Sequence, residues 1–488
     1  MRYASDLITN GVGFKHWEAE MHQRLLFIFT AAVCAVLPLS GARADEAAKK
    51  RNVIFLFADD QRADTIAALG NPHIKTPNLD QLVNRGFVFR NTYCLGSNVP
   101  AVCTPSRNML LSGRAYFRWQ GPQAQPDMPN FPTSLKVAGY ETYHHGKRGN
   151  TSPAIQALFD YDKYVQDQQA RTSGEPCQSI VDEAITFLKN RKQKGRSEEK
   201  PVFMYLAFAN PHDERVANEK YMQLYDRDKI PLPKNYKPLH PFNNGEQFVR
   251  DELLAPFPRT EDEVRKHLHD YYAVISGMDY HIGRFFTALK ELGMYDNTIF
   301  IYSADHGLAV GSHGLFGKQN LYEAGMKPPL IFAGPGIPKG ESKALVYLLD
   351  IFPTVCDLVG TSIPGGLDGK SLKPIIEGQQ SSVRDTLFLS YRDVQRAVRD
   401  ERYKLIRYPQ VNVTQLFDLQ NDPDELNSLA DRPDQSDRIA RMTAEMQMWQ
   451  KMLGDSAPLV VDKPQNPAWD SSQKPAAPSA KGKGKKAG

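Results

Sequence analysis

Residues 53–60 read Val53-Ile54-Phe55-Leu56-Phe57-Ala58-Asp59-Asp60, a short apolar, β-prone run that stops abruptly at two acids. Three further runs share this form. Residues 140–143 lead into His144-His145-Gly146-Lys147, residues 202–208 into Asn210-Pro211-His212, and residues 299–302 into Asp305-His306-Gly307. Helical patterns lie between them at residues 79–85, 180–191 and, much longer, 261–292. Strand–helix alternation predicts an α/β domain whose large mixed, mostly parallel sheet is flanked by helices. In such sheets functional groups gather beyond the carboxyl ends of the strands. Here those ends carry carboxylates, imidazoles and a lysine.

The chain has 488 residues, 41% hydrophobic and 24% charged, an ordinary globular composition with room for one large domain and a smaller one. From about residue 384 the texture changes to short strands (386–391, 396–398, 403–408, 416–419) and a final helix (436–453). These predict a C-terminal α+β subdomain with an antiparallel sheet, residues 381–455, after a catalytic region at 45–380. Residues 456–488 are rich in Lys, Pro, Ala and Gly and are expected to be disordered.

At the other end, Arg24 precedes an apolar run at 25–37, and Ala42-Arg43-Ala44 offers small residues at a cleavage site. That order predicts a signal peptide over residues 1–44, with Met21 the natural start, and export to the periplasm or beyond. About 13 apolar residues are too few to span a bilayer, so no membrane span is expected after cleavage. The net charge of +4 includes five lysines after Asp470 and no acid there. The body without leader and tail is slightly acidic, which argues against a nucleic-acid-binding face. Of five cysteines, Cys34 lies in the leader; Cys94, Cys103, Cys177 and Cys356 are spaced too irregularly for a disulfide framework or a zinc site.

The most informative segment is Cys103-Thr104-Pro105-Ser106-Arg107, followed by Leu110-Leu111-Ser112-Gly113-Arg114. A Cys-x-Pro-Ser-Arg match in a chain this long arises by chance in about one sequence per thousand. It resembles the signature of the formylglycine-dependent (type I) sulfatases of the alkaline phosphatase superfamily, and the early Asp-Asp, the later Asp-His-Gly and the following Gly-Lys extend the resemblance over nearly the whole mature chain. The resemblance implies an alkaline-phosphatase-like fold, hydrolysis of a sulfate ester, and a maturation enzyme that oxidises Cys103 to formylglycine. It further implies Ca²⁺, with Mg²⁺ the second choice, held by Asp59, Asp60, Cys103, Asp305 and His306. Hard carboxylate oxygens suit either ion. His306 stands where many relatives have Asn, and imidazole is a softer ligand than an amide oxygen.

The remaining roles follow from the same resemblance. Arg107, one helical turn beyond Cys103, braces the nucleophile and the metal carboxylates. Lys147 and Lys318 bind sulfate oxygens, and His212 protonates the leaving alcohol. One departure matters: relatives commonly read Gly-Lys-Trp-His, where this chain has Gly146-Lys147-Arg148-Gly149. His144, His145 or His313 are the expected substitutes, or Arg148 marks an acidic-substrate pocket. Sulfated carbohydrate is the expected substrate. Tyr116, Arg118, Trp119, Arg148, Arg215 and His240 are candidates for reading it, each also explicable as packing or solvated surface. A phosphatase or phosphonate monoester hydrolase on the same scaffold, or an inert glycan-binding homologue, are the alternatives.

Overall fold

The structure is a computed structural model that describes residues 50–119, 124–125, 129–147, 152–165, 172–195 and 200–468. The predicted leader and Arg148 lie outside the described residues. Strand β1 (Asn52–Ala58) is buried at every position, as a continuous apolar run requires when both faces of a parallel sheet are covered. It pairs in parallel with β6 (Val202–Ala207) on one side and β7 (Thr298–Ala304) on the other. β4 (Glu141–Lys147) and β5 (Tyr161–Val165) extend the parallel set outward from β6. Beyond β7 the sheet turns mixed, with β8 (Leu330–Ala333) antiparallel to both β7 and β2 (Phe87–Tyr93), and β9 (Gly340–Tyr347) parallel to β2. The order is β5-β4-β6-β1-β7-β8-β2-β9.

Alternation along β1 divides the core in two. Val53, Phe55 and Phe57 join one buried cluster, and Ile54, Leu56 and Ala58 the other. Successive side chains of a strand point to opposite faces, so the two clusters are the two layers of a sandwich. The helices Gln178–Gln193 and Glu261–Glu291 contribute to the second layer. The long helix starts where Thr260 accepts the Glu263 N–H and three acids fill the first turn, which satisfies an orphan donor and complements the helix dipole. Its 31 residues span about 46 Å. Helix Cys103–Ser112 belongs to the first layer and is buried at nine of its ten positions.

A five-stranded sheet packs into that same first layer. Its order is β13 (Val413–Asp418), β12 (Tyr403–Tyr408), β11 (Gln395–Arg399), β10 (Leu387–Tyr391) and β3 (Gly96–Ser97). The first four are antiparallel neighbours, and β3, just ahead of Cys103, joins β10 in parallel. The segment before the cysteine is thus tied to the C-terminal sheet. Helix Ser436–Leu453 closes this part. Beyond it, Val461 and Asn412 exchange hydrogen bonds of 3.0 and 2.7 Å, and the Gln465 N–H donates to Gln410 O at 2.8 Å; residues 469–488 lie outside the described residues. Among the described residues no helix is long and apolar enough to cross a membrane, and Cys94, Cys103, Cys177 and Cys356 are all buried and free.

Candidate functional site

Strands β1 and β7 are neighbours in register, Ala58 opposite Ala304, so the residues just past both strands leave the sheet at one place. Asp59, Asp60, Asp305 and His306 follow, and all are essentially unexposed. Asp60 adopts a left-handed backbone, φ 67°, a sparsely populated conformation that persists when its surroundings over-determine it. Here its N–H donates to Asp305 Oδ1 at 3.0 Å and its carbonyl accepts the Tyr271 hydroxyl. Helix Cys103–Ser112 points its first turn at this spot, and the Ser106 hydroxyl donates to the Asp305 carbonyl at 2.6 Å.

One ligand atom from each of Asp59, Asp60, Cys103, Asp305 and His306 lies within 4.8 Å of all the others. The Cys103 Sγ is 3.3 Å from Asp59 Oδ1, 3.6 Å from Asp60 Oδ1 and 3.2 Å from His306 Nε2. The Nδ1 of His306 lies 2.7 Å from the Gly307 carbonyl. Only an N–H can satisfy that oxygen, so Nδ1 carries a proton and the ring is turned to face Nε2 into the cluster, the orientation in which its lone pair would ligate a metal. This donor set, three hard carboxylates and one oriented nitrogen, fits a divalent cation.

Cations from three other elements balance the acids. Arg107 Nε donates to Asp305 Oδ2 at 3.0 Å and its NH2 group is 3.5 Å from Asp59, with the guanidinium over the Phe57 ring. Lys147 Nζ bonds Asp59 Oδ2 at 3.0 Å. Lys318 Nζ bonds both Asp60 oxygens at 2.8 and 3.0 Å and donates to Cys103 Sγ at 3.1 Å. Gly146 lets Lys147 reach in: a Cβ there would meet the Ala207 carbonyl oxygen at 2.5 Å. The loop carrying Lys318 is held by Glu252, which accepts the Phe316 and Gly317 N–H groups at 2.9 and 2.8 Å and is itself paired with Arg259. His212 stands at the edge, Nε2 3.8 Å from Asp60 Oδ2, with Nδ1 against the Asp213 carbonyl at 2.5 Å and its carboxylate at 3.1 Å.

Charge placement sets the protonation pattern. Burial alone drives the Asp59 carboxyl upward, but Lys147, Arg107, His212 and Lys318 together hold it well below its ordinary range. Asp305 is raised, by burial and by Asp59. Burial and then Asp59 push the Cys103 thiol well above its usual value. Burial opposes the charge on Lys147 and Lys318, yet Asp59 and Asp60 respectively keep both raised. Burial and Lys318 take His212 down to about 3.

Every residue expected in the catalytic and metal sets therefore lies in this one cluster or on its edge. The expected substitutes for the missing histidine do not, and that expectation is corrected. β4 continues through Lys147, so His144 and His145 are strand residues on opposite faces. His144 bonds Asp162 at 2.7 Å and packs on Phe159 and Tyr205, and His145 lies beside Tyr143. His313 is stacked on Tyr322 with ring centroids 3.8 Å apart. The imidazole that reaches Cys103 is His306.

Most substrate-reading candidates also have structural partners. Tyr116 bonds Ser390, Arg118 pairs with Asp368, Trp119 is buried, Arg215 meets His267, and His240 bonds Tyr322. The residues that sequence reasoning missed are Asp213, Arg250, Asp251 and Glu252, which lie in a stretch without strong periodicity.

The sulfatase family profile matches residues 51–361, and a profile described as N-sulphoglucosamine sulphohydrolase, C-terminal, matches 311–452. An N-acetylglucosamine-6-O-sulfatase of Bacteroides thetaiotaomicron is 25% identical, covering 85% of this chain and 88% of that one. A solved structure of a protein in complex with its substrate D-glucosamine-2-N,6-O-disulfate superposes with a TM-score of 0.69 at 23% identity, covering 84% of this chain and 99% of that one. A phosphonate monoester hydrolase from Silicibacter pomeroyi superposes equally, TM-score 0.69 at 24% identity, covering 84% and 96%.

Proposed function

The chain belongs to the sulfatase family and is a sulfate ester hydrolase; we propose that it is exported, binds Ca²⁺, uses a nucleophile made from Cys103, and acts on a sulfated carbohydrate. The observation that carries this reading is the convergence of Asp59, Asp60, Cys103, Asp305 and His306 on one point. These five residues would hold the cation, and Ca²⁺ would supply Lewis-acid stabilisation of negative oxygen in the site. Once oxidised to formylglycine, a two-electron change that expels the sulfur and needs an external oxidant with the maturation enzyme, and then hydrated by one water, residue 103 would supply two geminal hydroxyls: one to attack sulfur as the bond to the alcohol breaks, the other to lose its proton and expel sulfate as the aldehyde re-forms.

The other side chains divide the remaining work. Asp59, Asp60 and Asp305 are matched by Arg107, Lys147 and Lys318, so a divalent cation leaves the centre about two charges positive, suited to an anionic ester. Arg107 braces two of the carboxylates and favours an oxyanion at residue 103. Lys147 and Lys318 would move from carboxylate partners to sulfate oxygens, where fixed positive charge stabilises the transition state. His212 would give its proton to the departing alcohol oxygen, and an anionic ester beside it favours the protonated ring. The glycan substrates named for similar proteins support a sulfated sugar, and the apolar run at 25–37 with its small-residue cleavage site supports export.

The test is peptide mass spectrometry across Cys103 on protein made with a maturation enzyme, together with sulfate release from sulfated oligosaccharides and an aryl sulfate. The expected result is conversion of residue 103 and sulfate release that a chelator abolishes. Full activity with an intact thiol would overturn the mechanism. Faster cleavage of a phosphonate monoester than of every sulfate ester would favour the alternative chemistry.

A further inference from the structure

We infer that Arg250 is a specificity-determining residue that reads an anionic substituent on the alcohol part of the ester, so that preferred substrates carry a second negative group beside the sulfate. This rests on the sulfatase reading above and deepens it. Arg250 spans two carboxylates from different segments: its NH2 group pairs with Asp213 Oδ2 and its NH1 group with Asp251 Oδ1 at 2.5 Å. Each carboxylate touches a group at the centre. Asp213 Oδ1 is 3.1 Å from His212 Nδ1, on the side assigned to the leaving alcohol. Asp251 Oδ2 is 3.9 Å from Lys318 Nζ and accepts the Gln319 Nε2–H at 2.7 Å, on the side assigned to sulfate. Arg250 therefore bridges the two halves of the site, close enough for Asp60 to favour its charge.

Exposure separates this arginine from a structural clasp. Asp213 and Asp251 are buried, whereas the Arg250 side chain is 59% exposed. Nearby Arg259 shows what a clasp looks like: it is fully buried, and its guanidinium donates to Glu252, Ala255, Pro256 and Gly314. A guanidinium has five N–H donors, and the bonds to Asp213 and Asp251 engage two. Two buried acids aim the group, and its open part keeps the planar fork that binds a carboxylate or sulfate through two parallel hydrogen bonds. A substituent on the sugar next to the ester oxygen, itself facing His212, meets that fork first.

The matched probes are 3-carboxyphenyl sulfate and the neutral isostere 3-carbamoylphenyl sulfate, assayed for sulfate release with the mature Ca²⁺-loaded protein. Wild type should prefer the carboxylate, and Arg250→Gln should lower its kcat/KM by about 10- to 100-fold, chiefly through KM, while the amide changes by less than about threefold. Arg250→Lys, which keeps charge but loses the fork, should fall between. Equal losses for both esters would show that Arg250 merely positions His212 and would overturn the proposal, as would an unchanged carboxylate preference. If wild type hydrolyses neither ester, the Cys103→Ala protein carries the test by calorimetric binding of the same two compounds. Tighter carboxylate binding that Arg250→Gln removes supports Arg250 even if the turnover reading fails, and equal binding overturns it.

Discussion

Two buried charge clusters of similar composition lie on this fold, and they differ in what their charges face. Between the two sheets, Lys404 of β12 forms ion pairs with Glu323 at 3.1 Å and Glu425 at 2.9 Å. Glu323 also accepts the Tyr93 hydroxyl at 2.6 Å and pairs with Lys327 at 3.4 Å, and its N–H donates to Glu425 at 2.7 Å. Cations and donors there lie between and around the acids, and the network joins one sheet to the other. At the strand ends, by contrast, three aspartates converge with Cys103, Arg107 and Lys147 holding the outer oxygens of Asp59 and Asp305 while Lys318 reaches in between Asp60 and Cys103. Like charges converging on one point are costly unless something positive sits between them. The first arrangement is a staple. The second is a receptacle.

Cys103→Ala should separate the two most sharply: sulfate release falls by at least about 10⁴-fold, while the thermal unfolding midpoint does not drop. A large activity would remove the receptacle reading. Chelation comes next. EGTA should cut turnover at least about 100-fold, Ca²⁺ should restore it better than Mg²⁺, and Ca²⁺ at 100 times its dissociation constant should stabilise the fold by about 2.7 kcal/mol in calorimetry.

Lys404→Met should do the converse. It removes the one ammonium shared by part-buried Glu323 and buried Glu425 and should cost about 3–5 kcal/mol in urea unfolding, with turnover of the folded fraction unchanged; a loss of turnover at full stability would merge the two clusters into one functional unit. Glu425 gives a gentler test. Burial, with Glu323 adding and Lys404 opposing, pushes its carboxyl from the model-peptide value of 4.5 up to about 7. The folded state thus holds a proton the unfolded chain has released, so this contribution is complete below pH 4.5 and fades as pH rises through 7. Glu425→Gln should flatten that decline by roughly 1–3 kcal/mol between pH 4.5 and 8. Lys327→Met, at the solvent edge of the staple, should cost only about 0–1 kcal/mol.

Much of the site was legible because its residues stand at breaks in pattern. Asp59 and Asp60 end an apolar run, Asp305 and His306 end another, and Cys103 opens a helix whose turn brings Arg107 round to the same side. The C-terminal helix falls at Ser436–Leu453, over the residues whose spacing predicts it. Other parts were hidden for physical reasons. β4 runs on through His144, His145 and Lys147 because β5 and β6 supply partners for those positions, His144 and His145 being paired on both sides, and no local signal announces a neighbour. β8 has only four residues, and β3 two, too short for periodicity to register. Arg250 looks like any loop arginine until Asp213 and Asp251 are seen on either side of it.

The sequence by itself determined the class of sheet, the cysteine motif and the identity of the acids, because strand ends, helix starts and residue chemistry are local properties. Only the tertiary structure decided that these acids share one centre, that His306 rather than His144, His145 or His313 is the imidazole beside Cys103, and that Arg250 joins Asp213 to Asp251. The reason is the strand order: β1 sits between β6 and β7, so residues about 245 positions apart leave the sheet side by side.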